Sequence, residues 1–411
     1  MSTPPTFVIA GGGLAAAKAA EALREQDFDG RVVLIGDEPH PPYERPPLSK
    51  DYLQGKSERG KIFVHDAGWY GEHDVDLRSG VAVTGVDPGS HQVTLSDGER
   101  LGYDRLLLAT GAAPRRLAVP GADLDGVLHL RTVDDSERIR DALAKVSRIA
   151  IVGAGWIGLE VAAAARAAGV RVSVLEIEPQ PLLRVLGSRI ASVFADLHRG
   201  HDVDLRLGVR VAEITGQDGQ VRGVRLADGD RLDVDAVVVG IGAVPNTGLA
   251  WSAGLAVDDG VRVGADLRTS DPDIFAAGDV ASAYHPLLGA HIRVEHWANA
   301  LNQPVVAAGA MLGRDVAYDR LPYFYTDQYD LGMEYSGHAS PGHVDDVVVR
   351  GDLASREFIA FWIADGRVTA GMNVNVWGVA DQIQTLIRSG ARVDRDRLAD
   401  TGVPLSQVAA D

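Results

Sequence analysis

Apolar residues along this chain come in short runs that end at glycines, and the two clearest runs have the same sequel. At 149–152 the run Ile-Ala-Ile-Val stops at Gly153. Gly155 and Gly158 then complete G-x-G-x-x-G, an Ala-rich stretch predicts a helix, and a second apolar strand over 170–175 ends on Glu176. At Thr6–Ala10 a strand runs into Gly11, Gly13 and Ala16, the permitted G-x-G-x-x-A form, with a helix predicted to about Glu25. A strand over 31–35 follows and leads to Gly36, Asp37 and Glu38. Glycines in such a turn let backbone approach a pyrophosphate, and the helix start offers unpaired N–H groups and positive dipole. An acid at the end of the next strand lies where a ribose is held. The pattern predicts an α/β chain with two dinucleotide sites.

The remaining patterns fill in around these units. Residues 81–95 and 100–108 predict antiparallel strands joined at the Asp97-Gly98 turn. The runs 106–108 and 237–240 each lead into a glycine turn and a proline stop, as two crossings between domains would. Thr132 with Asp134 and Asp135 starts a helix to about Lys145, and strands are expected over 209–214, 221–226 and 231–239. A short strand ending on Gly278 and Asp279, with a helix starting nearby, puts a carboxylate at a strand's C-terminal end. Glu295, His296 and Trp297 open a helix through Leu312, where the histidine and tryptophan read equally as interior packing or as ligand contacts. Beyond, strands at 346–349, 357–363 and 368–374 turn at Asp365-Gly366. A helix over 380–388 carries Ile383, Leu386 and Ile387 on one face and stops at Gly390, so the last ninety or so residues read as a small α+β domain.

Between the first unit and these strands, residues 41–53 (PPYERPPLSKDYL) form a stiff, proline-rich loop carrying Arg45 and Lys50, with Ser49 placed to cap a short helix. The pattern alone leaves a surface turn and a ligand loop both open.

Composition narrows the chemistry. Forty basic against fifty-seven acidic side chains give a formal charge of -17, which repels nucleic acid and anionic membrane surfaces. No signal peptide or membrane span is visible, and the cytoplasm is the expected location. Cysteine is absent, so no thiol can form a redox disulfide or hold an iron–sulfur cluster. Redox chemistry must then run on a bound organic cofactor. The twelve histidines show no metal-ligand spacing, and no resident metal is expected.

Taken in order, GGGLAA, PYERPPLSK, LATGA, GAGWIGLE, GIGAVPN, IFAAGDVA and EHWANA resemble the FAD-dependent ferredoxin reductases of bacterial oxygenase systems. These include biphenyl dioxygenase-type, putidaredoxin and rubredoxin reductases, within the glutathione-reductase-like flavoproteins. The resemblance implies two Rossmann-like domains and a small α+β C-terminal domain. FAD would take residues 1–112 and 244–318, NAD residues 113–243, and an interface domain 319–411.

Carried over residue by residue, the resemblance puts FAD on Gly11, Gly13, Ala15, Asp37, Arg45, Lys50, Ala109, Arg131, Asp279 and Trp297, and makes Leu14, Val83, Thr110, Gly111, Gly242, Gly278, Glu295 and His296 further cofactor contacts. NADH would lie on Gly153, Gly155, Ile157, Gly158 and Glu176, with Arg184 nearby, and Glu160 would sit beside flavin and nicotinamide, close to Lys50. Lys50 and Glu160 are the expected catalytic pair. The disulfide reductases of the wider group carry a Cys-x4-Cys pair after the first unit, where this chain has Pro46, Pro47, Leu48 and Ser49. Electrons must therefore leave directly to an external carrier, expected to be a 2Fe-2S ferredoxin or rubredoxin, or leak to oxygen, from a monomer or homodimer. An NADH oxidase or quinone reductase, and an NADH-sensing flavoprotein resembling apoptosis-inducing factor, remain the other readings. Arg388, Arg392, Arg395 and Arg397 could serve carrier docking or be a solvated helix end.

Overall fold

Both fingerprint strands lie at the middle of a five-stranded parallel sheet. The first sheet runs Ile274–Ala276, Arg105–Leu108, Thr6–Ala10, Arg31–Gly36, Val75–Ser79. The second runs Asp204–Leu207, Arg171–Glu176, Arg148–Val152, Ala236–Val239, Val127–His129. Parallel neighbours need a crossover, and helices Leu14–Glu25 and Trp156–Ala167 supply the first one in each. Strands covered on both faces must be apolar throughout, and Val8, Ile9 and Ala10, like Ile149, Ala150 and Ile151, are sealed from solvent.

The computed structural model describes residues 4–339, 342 and 344–410, which form two compact units. One holds the chain up to Arg45, Glu58–Ala113 and Ala243–Pro322; the other holds Pro46–Ser57, Pro114–Gly242 and the chain from Tyr323 on. The first unit adds a three-stranded ribbon, Val83–Asp87, Gln92–Leu95 and Arg100–Gly102, and helix Trp297–Met311. The second adds the ribbon Val211–Gln217, Gln220–Leu226, Arg231–Asp233 and a C-terminal antiparallel sheet. That sheet runs Tyr323–Gln328, Leu331–Gly337, Arg367–Val374, Glu357–Ala364, Asp346–Asp352, with helix Ala380–Ser389 burying Ile383, Leu386 and Ile387. Gly390 ends that helix at φ +59. Among the described residues no helix is long and apolar enough to cross a membrane.

Five expectations are corrected. The stretch 81–95 is two antiparallel strands, Val83–Asp87 and Gln92–Leu95, because the Asp87 carboxylate accepts from Gly89 and Ser90 N–H and turns the chain between them. The apolar stretch 100–108 is two strands, one in the ribbon and one in the parallel sheet, because Asp104 turns the chain between them. Its carboxylate accepts from Thr6 N–H at 2.7 Å while its own N–H donates to Thr6 C=O at 2.7 Å. The stretch 231–239 divides in the same way at Asp235, whose carboxylate accepts from Ser147 and Arg148 N–H at 2.9 Å each. After Asp279 there is one 3₁₀ turn, Gly278–Val280, and then strand Ala281–His285 in place of a helix. Ser49 does not cap a helix. It ends the 3₁₀ turn Pro46–Ser49, because the fixed φ of consecutive prolines suits the first positions of a turn. The helical segment Leu183–Gly200, two helices joined at a break at Gly187 (φ +72), is not expected from the sequence, since the left-handed Leu182 (φ +56) and this break interrupt its pattern.

Helix Val133–Leu143 carries the predicted start in full. Thr132 Oγ1 accepts from Asp135 N–H at 3.1 Å, and Asp135 accepts from Thr132 N–H at 3.0 Å. Thr132→Ala is expected to cost about 1 kcal/mol, read as an earlier urea midpoint at unchanged slope.

Candidate functional site

In the first unit the turn after Thr6–Ala10 is built for close approach. Gly11 takes φ +137, and a Cβ there would lie 2.1 Å from Ala109 C=O, so a side chain is excluded. Gly13 is the N-cap of the following helix and brings no side-chain cap, and the space where its Cβ would stand is open. Leu14 and Ala15 begin the helix, and a Cβ on Gly278 would lie 3.1 Å from Ala15 Cβ. Gly11, Gly13, Leu14, Ala15, Ala109, Gly278 and Asp279 thus gather at the C-terminal ends of three parallel strands, where open α/β sheets bind ligands.

Other expected positions surround this point or lie apart from it. Asp37 is exposed directly after Arg31–Gly36. Glu38, its neighbour, is used differently: it accepts from Tyr43 Oη and from Arg45 at 3.1 Å. Burial works against the Arg45 charge, but Tyr43, Glu38 and Asp279 outweigh it and hold the guanidinium above its ordinary value. Thr110 and Asn246 exchange side chain-to-backbone hydrogen bonds at 2.9 and 2.8 Å, and Gly111 C=O accepts from Asn246 N–H at 2.9 Å. Val83 opens the ribbon, Glu295 pairs with Arg293, and His296 and Trp297 begin helix Trp297–Met311.

The second unit repeats the turn. Gly153 takes φ +101 with a Cβ position 2.3 Å from Gly240 C=O, and Gly158 packs against Gly153 C=O. Gly155 is an N-cap with no side-chain cap and open space beside it, while Ile157 on the first helical turn remains 48% exposed. Glu176 reaches this turn: its carboxylate accepts from Ala154 N–H at 2.6 Å and from Glu178 N–H at 2.9 Å. Arg184 is exposed and donates from Nε to Glu178 at 2.8 Å. Gly242 takes φ +97 and accepts from Arg115 N–H, and Arg131 N–H donates to Asp135 at 3.1 Å. Each turn therefore offers an uncapped helix start with room for a phosphate, and the second adds a fixed carboxylate for a ribose hydroxyl. The residues fit FAD and NADH.

Lys50 and Glu160 meet in the second unit. Lys50 Nζ donates to Glu160 Oε1 at 2.8 Å, with Glu160 only 5% exposed. Ser49 Oγ donates to Oε2, and Thr326 Oγ1 donates to Oε1 at 2.5 Å. Lys50 also lies 5.4 Å from the Tyr325 ring centroid. Asp327 flanks the group, its carboxyl pushed up by desolvation and by the Glu160 and Asp51 charges against the pull of Lys50. Behind Thr326 stand Gln328 and His198, both buried. Thr326, Gln328 and His198 were missed in the sequence. The readable signal was the i, i+2 spacing of Thr326 and Gln328, which puts both on one face of a strand.

Residues 5–303 match the pyridine nucleotide-disulphide oxidoreductase family, and residues 323–409 match the reductase C-terminal family. The chain belongs to the pyridine nucleotide-disulphide oxidoreductases. Over 409 residues it is 42% identical to the anthranilate 1,2-dioxygenase system ferredoxin–NAD(+) reductase component of Burkholderia cepacia, covering 98% of this chain and 99% of that one. It is 37% identical over 415 residues to putidaredoxin reductase of Pseudomonas putida, covering 100% and 98%. The covalent putidaredoxin reductase–putidaredoxin complex superposes with a TM-score of 0.95 at 36% identity, covering 99% of this chain and 98% of that one. This oxidoreductase has no cysteine, so the disulphide in the family's description has no counterpart here.

Around the Arg388 to Arg397 segment the charge is mixed. Arg395 reaches Asp346 at 3.3 Å, and Asp394 accepts from the N–H groups of Asp396 and Arg397.

Burial lowers the His198 pKa from 6.5 to about 4, with Gln328 opposing and His201 adding. The unfolded chain binds this proton near pH 6.5 and the folded chain only near 4, so stability is lost as pH falls through that window. The loss is about 3 kcal/mol when complete. His198→Gln is expected to flatten the acid limb of a stability-versus-pH curve by that amount, measured by urea unfolding between pH 7 and pH 4.

Proposed function

We infer that this chain is an FAD-dependent ferredoxin–NAD(+) reductase, taking hydride from NADH and delivering single electrons to a 2Fe-2S ferredoxin or rubredoxin that serves an oxygenase. The carrying observation is the pair of open, glycine-built turns, one with Glu176 fixed beside it, in a chain without cysteine. Full-length likeness to reductase components of oxygenase systems agrees with it. When bound, FAD supplies the conversion between one hydride and two single electrons, which a cysteine-free protein cannot perform itself.

The protein's own groups bind and orient. Backbone N–H groups at Leu14 and Ala15, and at Trp156 and Ile157, take the two pyrophosphates, and Glu176 accepts from a ribose hydroxyl of NADH. A carboxylate there repels a 2′-phosphate, so NADH is preferred to NADPH. Arg184 is the residue able to reverse that preference, and its pairing with Glu178 restrains it. Arg45 and Asp279 serve FAD, with Ala109, Gly278 and the His296-Trp297 helix start. Lys50 presents a fixed positive charge to the reduced cofactor, and Glu160 holds the ammonium in place. Residues 1–112 and 244–318 then serve FAD, 113–243 NADH, and 319–411 the carrier. We place the protein in the cytoplasm, where NADH is supplied.

NADH-dependent cytochrome c reduction by the purified holoenzyme, with and without a 2Fe-2S ferredoxin and with NADPH as control, tests the function. A large ferredoxin-dependent rate with NADH is expected. A rate indifferent to ferredoxin but supported by oxygen or quinone would make the protein an oxidase, and slow reduction with a long-lived charge-transfer complex would make it a sensor. Lys50→Met is expected to slow flavin reduction by NADH about tenfold, roughly 1.4 kcal/mol in the barrier, read by anaerobic stopped flow. Unchanged rate and flavin potential would remove Lys50 from the mechanism. Glu176→Ala is expected to raise KM for NADH about tenfold and to shrink the margin over NADPH, seen in paired KM measurements.

A further inference from the structure

A line of buried polar side chains continues from Glu160 away from Lys50. Gln328 Nε2 donates to Thr326 Oγ1 at 3.2 Å, and Gln328 Oε1 meets His198 Nε2 at 2.9 Å. Thr326, Gln328 and His198 are each 1% exposed or less. Buried polar groups of this kind are costly unless every one is satisfied, so a complete chain of four such groups is a specified feature. At its far end Tyr329 Oη lies 3.5 Å from His198 Nδ1, and the Tyr329 ring stacks on His201 at 3.7 Å. Tyr329 holds that place at φ +56, a conformation a bulky side chain rarely adopts.

The direction of every bond in the chain follows from one charge. Glu160, facing the Lys50 ammonium, accepts only, so the Thr326 hydroxyl hydrogen points at it. Thr326 Oγ1 must then receive a hydrogen, which the Gln328 amide nitrogen supplies. The amide oxygen is thereby turned to His198, whose Nε2 must carry the hydrogen, leaving Nδ1 as the acceptor facing Tyr329. We propose that Thr326, Gln328 and His198 are positioning residues for the Lys50–Glu160 pair, forming a one-way hydrogen-bond chain that fixes the Glu160 carboxylate and whose direction is written in the His198 tautomer. This rests on the role given to Lys50 and Glu160 above.

The chain is tested in the FAD-loaded enzyme with two readouts, the 15N resonances of labelled histidine and the rate of flavin reduction by NADH. In the wild type His198 should show a protonated Nε2 and a bare Nδ1. Thr326→Val keeps the shape and cuts the chain, and Gln328→Met cuts it one link further on. In both, the His198 Nε2 resonance should move toward the unprotonated position and flavin reduction should slow at least fivefold, with NADH affinity within twofold. Thr326→Ser, which keeps the hydroxyl, should restore tautomer and rate to within twofold of wild type. A residue that only packs would leave the tautomer unmoved. If Lys50→Met slows reduction tenfold while Thr326→Val stays within twofold, the chain is overturned and the function stands. If the rate falls in Thr326→Val with the tautomer unchanged, the chain is overturned as well. A Lys50→Met enzyme at the wild-type rate overturns the role of the pair itself and the chain with it.

Discussion

A carboxylate almost out of reach of water dictates how the second unit is put together. Glu160 sits in the apolar helix Trp156–Ala167 among alanines, where an unpaired charge would cost several kcal/mol. Its donors come from 110 to 166 residues away, Ser49 and Lys50 on one segment and Thr326 on another. Removing any of them leaves an acceptor short inside the protein, so the Pro46–Ser57 segment and the strand Tyr323–Gln328 are tied to the helix by a requirement stronger than packing alone. The prolines before Ser49 limit how that segment can move, and its position is thereby set from both sides. The assembly of this unit and the chemistry proposed for Lys50 thus rest on the same charge.

The local features of the chain were readable because their causes are local. A glycine that must take positive φ, an alanine helix after it, a Thr-x-x-Asp start and an Asp-Gly turn each act within a few residues. The strands, helices and turn glycines of both fingerprints accordingly stand where the pattern put them. What apolar runs cannot report is which sheet a strand joins. Residues 100–108 and 231–239 look continuous, yet Asp104 and Asp235 each turn the chain out of a ribbon and into a parallel sheet by bonding the first residues of its central strand. The repetition of one aspartate device in two units shows that the division is built in, but its partners lie about a hundred residues upstream. The helical segment Leu183–Gly200 was hidden for the opposite reason, since its apolar face at Leu186, Ile190, Val193, Phe194 and Leu197 is regular while its left-handed start and the break at Gly187 obscure it.

The candidate site residues divide along the same line. Glu176 and the glycines declare themselves by position after a strand, whereas Thr326, Gln328 and His198 are ordinary residues until folding aligns them. Thr326 and Gln328 alternate correctly for one face of a strand, but nothing in that spacing names Glu160 as the destination. A side-chain chain assembled from two strand positions and a helix end has no sequence signature, only a geometric one.

Nucleotide choice shows how much a backbone can settle. Glu176 is held by two main-chain N–H groups, those of Ala154 and Glu178, so its placement does not depend on any side-chain neighbour. Two backbone donors leave the carboxylate oxygens further lone pairs, enough for a ribose diol. The cation that could welcome such a phosphate, Arg184, is on a surface helix start and already engaged by Glu178. Glu178 thus acts twice, through its N–H on Glu176 and through its carboxylate on Arg184. The proposed preference for NADH rests on a turn whose acid is fixed and whose nearby base is occupied.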